Sequence, residues 1–160
     1  MRTRVVAVAV AASALLATVT IASPATGSMS QFGGVRQATA AFHDLDKAKA
    51  AGYEEFLPCI DSPGVGGMGQ HFVDMAALDG IVQANHPEAM VYEPRGDKYR
   101  LVGVEYVVPQ SAWTSADPPE LFGEHFHRND TLGICALHAW IWRHNPGGMY
   151  ADFNPKVALC

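Results

Sequence analysis

From residue 53 onward the chain is cut into short aromatic and β-branched runs, each closed by Gly, Pro, Asn or Asp. That texture favours strands joined by tight turns and leaves little room for long helices. It predicts strands over 53–59, 68–73, 90–93, 100–108, 122–127 and 133–144. Pro94-Arg95-Gly96-Asp97 and Arg128-Asn129-Asp130-Thr131 are the expected hairpin turns. Upstream the pattern differs: Ala38, Phe42, Leu45 and Ala48 recur at helical spacing, with Gly52 placed to end the helix. Lys47 and Lys49 fall in its last turns, where cations complement the helix dipole. The expectation is a single α+β domain, mainly an antiparallel β-sheet with one N-terminal helix, residues 35–51, packed on a face.

At 160 residues, 49% of them apolar and 17% charged, the chain can bury one ordinary core. The formal charge of −5 comes without a Lys/Arg run beyond the first few residues, so no basic stripe is offered to nucleic-acid phosphates.

The start of the chain reads as a secretory signal: Arg2 and Arg4, an apolar run from Val5 to Ile21, then small residues at Ala22, Ser23 and Ala25. Residues 1–25 form the expected signal peptide and 26–160 the secreted domain, although cleavage after Ala22 also fits. The alternative is an uncleaved membrane anchor. Removing the leader leaves nine bases against sixteen acids, a formal charge of −7, and no membrane partner.

Outside the cytosol cysteines tend to pair, and three are present. Cys135, in the run Ile134-Cys135-Ala136-Leu137, reads as a small buried hydrophobe. A Cys59–Cys160 bridge would pin the terminus; the alternative is Cys160 linking two chains.

Seven histidines carry the chemistry to be explained. Strand alternation puts Ala136, His138, Trp140, Trp142 and His144 on one face and Cys135, Leu137, Ala139 and Ile141 on the other. His138 and His144 would stand about 20 Å apart along an ideal strand, too far to share an ion. Glu105 is the one charge in Leu101-Val102-Gly103-Val104-Glu105-Tyr106-Val107-Val108, on a face shared with Leu101, Gly103 and Val107. An unpaired carboxylate costs several kcal/mol to bury, so Glu105 is either a functional inward group or an outward one on a half-wet sheet. His125 and His127 form an H-x-H pair, which on a strand shares a face. His71 follows glycines that allow close backbone approach. His43 and His86 read as solvated.

Gly103-Val104-Glu105-Tyr106-Val107-Val108-Pro109 and the segment from Leu137 to Pro155, together with Met68–Val73 and Ala89–Pro94, resemble a family of small secreted bacterial proteins of unknown function. The resemblance implies secretion and a shared single domain; it assigns no role to His71, Glu105, His138 or His144.

The leading functional expectation is an exported metal-binding protein, with metal-dependent catalysis open to it. Its ligands are His71, Glu105 and His138, with His125 or His127 completing the set. Zinc suits such donors first and copper second, with Met68, Met75 or Met90 as a soft ligand. Without metal, Glu105 and His138 are the expected catalytic acid/base pair. The competing expectation is a non-catalytic binding module in which Trp140, Trp142, Tyr92, Tyr106 and Phe126 line a groove for a small molecule, glycan or peptide.

Overall fold

The computed structural model describes residues 31–160, so the leader expectation for 1–25 lies outside the described residues. Eight strands follow two short helices: β1 Tyr53–Ser62, β2 Gly66–Asp74, β3 Ala89–Arg95, β4 Lys98–Pro109, β5 Glu120–Leu121, β6 Glu124–His125, β7 His127–Asn129 and β8 Ile134–Ala139. Six of them form one antiparallel sheet in the order β1-β2-β3-β4-β8-β7. The first four are a meander, and the Arg95↔Lys98 pair closes the expected hairpin at Gly96 and Asp97. Within the described residues no helix is long and apolar enough to cross a membrane.

The single helix expected over 35–51 is two, α1 Gly33–Thr39 and α2 Leu45–Ala50, joined by a 3-10 turn at Ala40–His43. Asp44 makes the break. Its backbone is extended, and its side chain accepts from the Asp46 amide to cap α2, a competition with helix that Asp wins at such positions. Val35 and Ala48 enter the core with Phe72, Met90, Tyr92, Val104, Tyr106 and Leu137, on one face of the sheet.

The other face holds Val91, Val102, Trp140 and Val157. A bulge in β4 creates this division: Val91 pairs with Gly103 and Tyr92 with Leu101, which leaves Val102 as the extra residue. Leu101 therefore lies in the helix-side core, not on the face of Glu105 as strict alternation predicts. The C-terminal segment crosses β2 through the Gly67↔Asn154 bridge. Its backbone lies where side chains at Gly66 and Gly67 would stand, so these glycines serve a close crossing. Cys59 and Cys160 are bonded with their Cα atoms 5.8 Å apart, and Cys135 is free and buried.

β8 stops at Ala139, short of the expected 144. Cys135, Leu137, Ala139 and Ile141 form the core stripe that alternation predicts. Beyond the strand, alternation fails: Trp142 turns to the helix side, where its indole N–H reaches Thr39 Oγ1, while His144 is exposed beside Lys156.

Candidate metal centre

Cross-strand register brings the polar interruptions together. Glu105 of β4 pairs directly with His138 of β8, and on the far side with Ala89 of β3. His71 of β2 pairs with Val91, so it reaches the cluster diagonally across β3, over the small Ala89. The His71 and His138 Nε2 atoms are 3.1 Å apart. His71 Nε2 is 3.4 Å from Glu105 Oε2, and His138 Nδ1 is 3.4 Å from Glu105 Oε1. One ligand atom from each residue lies within 4.8 Å of the others.

Burial sets the electrostatics. His71 is 6% exposed, His138 5% and Glu105 9%. Loss of hydration pushes the His138 imidazole down to about 4, against the pull of Asp152. It also lowers His71, with the neighbouring Glu105 opposing, and raises the Glu105 carboxyl, with His71 opposing. Two neutral imidazoles are the form a metal needs, since their lone pairs are free.

Surrounding contacts hold His138 in place. The Trp140 ring stacks beside it at 6.0 Å between centroids. Trp140 donates its indole N–H to Ala151 O at 2.6 Å, which sets the next residue, Asp152, against the cluster. Asp152 Oδ1 is 3.9 Å from His138 Nδ1 and 3.3 Å from His127 Nδ1. Sequence reasoning missed Asp152 because it sits in an irregular segment without periodicity.

Of the two H-x-H histidines, only His127 reaches this neighbourhood, through Asp152. The predicted strand over 122–127 is broken: Phe122 and Gly123 turn with positive φ, and Phe126, buried, separates β6 from β7. β6 pairs with β5 in its own two-stranded sheet, where exposed His125 faces Glu120 at 4.0 Å. Alternation cannot hold across a residue at which the chain changes sheets. His43 packs edge-on to Trp142 and His86 is exposed.

The cluster lies in the floor of a cleft of about 610 Å³. One wall is the β1 segment carrying Phe56, Leu57 and Ile60, and another the turn bearing Leu132. Pairing skips from Phe56↔His71 to Ile60↔Gly69, so residues between them bulge outward. Leu57 takes φ 58° there, a conformation that costs a side-chain-bearing residue about 1–2 kcal/mol. Gln70 holds the bulge by donating to Leu57 O at 2.8 Å. The aromatic groove is not what forms: Tyr92, Tyr106, Phe126 and Trp140 are buried in the cores and Trp142 packs against the helix-side one, leaving a largely aliphatic cleft. Met90 is in the helix-side core and Met75 is exposed, whereas Met68 lines the cleft.

Comparison with protein-family models, curated proteins and solved structures finds no match to this chain. Two atoms bound to one tetrahedral zinc, each about 2.1 Å from it, stand about 3.4 Å apart. The 3.1 Å and 3.4 Å separations around His71 Nε2 are of that size.

Proposed function

We propose that this is an exported metal-binding protein whose ion is held by His71, Glu105 and His138, with its remaining position open to the cleft. The observation that carries the reading is the convergence of two buried imidazoles and a buried carboxylate from three strands, with His71 Nε2 3.1 Å from His138 Nε2 and 3.4 Å from Glu105 Oε2, and one ligand atom of each residue within 4.8 Å of the others. Removing any one partner leaves a buried polar group without its neighbour; a shared cation satisfies all three. Nitrogen and carboxylate donors suit zinc first. Copper is second, with Met68 the methionine nearest to use. His138 Nε2 faces His71, which leaves Nδ1 toward the Asp152 and Glu105 carboxylates, the arrangement in which an outer carboxylate orients a ligating histidine.

Three protein donors leave room for water, and a divalent ion can polarise a carbonyl or acidify that water. Glu105 and His138 are then ligands first; without metal they are the groups available for acid/base exchange, 3.4 Å apart. Export is supported by the basic head and apolar run of residues 1–25 and by the Cys59–Cys160 bridge, which suits an oxidising compartment.

The test is metal analysis of protein prepared without an affinity tag, followed by zinc titration. One equivalent per chain is expected, lost in His71→Ala, His138→Ala and Glu105→Gln. Unchanged zinc binding in all three variants rejects the reading.

A further inference from the structure

Exposed large apolar side chains gather around the cleft. Phe56 and Leu57 stand on its β1 wall at 37% and 44% exposure, and Leu132 on the turn at 43%. The φ of Leu57 keeps a leucine where glycine would rest without strain. The polar groups of the lining are His71, Glu105 and His138, with Asp152 and His127 beside them, and the turn at residues 128–131, where Arg128 is paired with Asp130. The cleft thus sets the polar cluster beside apolar side chains that include Phe56, Leu57 and Leu132, on the scale of a small-molecule site.

A charge balance sets the ligand's head. With a divalent ion, two neutral imidazoles and the Glu105 carboxylate, the ion and its ligands carry a net single positive charge, which Asp152, 3.9 Å from His138 Nδ1, partly offsets. We propose that the cleft takes a monocarboxylate with an extended apolar tail, its carboxylate on the open position of the ion and its tail between the Phe56–Leu57 wall and Leu132. This rests on the metal reading above, and it specifies which molecules the open position receives.

The experiment is calorimetry on the full-length exported protein. Zinc is titrated first, and the zinc-loaded and zinc-free forms are then titrated with acetate, hexanoate and decanoate. Affinity in the loaded form is expected to rise by about fourfold for each methylene buried on the wall, so three to four such methylenes make decanoate about 100-fold tighter than acetate. Leu57→Gly and Leu132→Ala should each weaken decanoate about tenfold and leave acetate unchanged. Leu57→Gly also relieves the local backbone strain, so a loss there does not report unfolding.

Acetate and decanoate binding alike, or decanoate unaffected by both variants, overturns the proposal with the metal reading intact. Equal decanoate binding with and without zinc overturns the seating of the carboxylate on the ion. Failure of the first zinc titration, read before any carboxylate is added, overturns the metal reading itself.

Discussion

His71 and His138 bring their Nε2 atoms to 3.1 Å although 67 residues separate them in the chain. In the metal-free protein one nitrogen donates and the other accepts, and burial lowers both rings, which favours their neutral forms. A cation would take the place of that shared proton.

The first prediction concerns this proton. Burial lowers His138 to about 4 from 6.5, so the ring should stay neutral at pH 5.5 where a solvated histidine is mostly charged. A depressed folded value means that the unfolded chain binds more protons. Its contribution to stability is fully present above pH 6.5 and is lost as pH falls toward 4. Histidine side-chain NMR of the metal-free protein should show one ring unchanged between pH 7 and 5. Titration of every ring near 6.5 would refute it. Zinc affinity should fall on acidification, since protonation of the raised Glu105 carboxyl or of an imidazole competes with the ion.

Glu88 gives the opposite sign. It is 3% exposed, accepts from the Val107 amide at 2.9 Å, and burial raises it to about 7 from 4.5. Stability from a raised carboxyl is present below pH 4.5 and is lost as pH climbs through 7. Glu88→Gln keeps an oxygen for Val107 without the charge. Relative to the parent it should gain roughly 1–3 kcal/mol between pH 4.5 and 8 in denaturant titrations. A difference independent of pH would remove Glu88 from this account.

Gly103 of β4, two residues before Glu105, lies tightly against the end of β8. A Cβ there would sit 2.9 Å from Ala139 O and 3.5 Å from the Trp140 ring. Gly103→Ala should cost about 1–3 kcal/mol by overpacking and weaken zinc binding by shifting the strand that carries His138. A thermal melt and a zinc titration of the variant check both effects; full retention of both would show that β8 yields without disturbing the cluster.

Cys59→Ser with Cys160→Ser should lower stability by roughly 2–5 kcal/mol, since the bridge spans 101 residues. Non-reducing peptide mapping should recover the 59–160 link. Cys135, buried, should resist alkylation until the protein unfolds.

Much of the site follows from local pattern because its members interrupt apolar strands. Glu105 and His138 are conspicuous for that reason, and alternation alone puts each on a definable face. Four features resist such reading. The Asp44 break needs the energetic comparison between a helix interior and a capped start, which depends on what Val35 and Ala48 pack against. The extra residue at Val102 reverses the alternation of everything before it, and only the pairing partner Tyr92 reveals where it lies. The change of sheets at Phe126 separates two histidines that spacing alone would join. Asp152 depends on Trp140 holding Ala151, a contact between segments with no shared period.

The Cys59–Cys160 bond also makes one closed covalent loop of everything from Cys59, within β1, to Cys160. His71, Glu105, His138, Asp152 and nearly all of the cleft lie inside it, whereas both helices lie outside. A protease that cuts the exposed stretch at residues 114–118 opens the loop once and releases no fragment. The pieces on either side remain tethered through the sulfurs, so a nicked molecule still carries every side chain of its site.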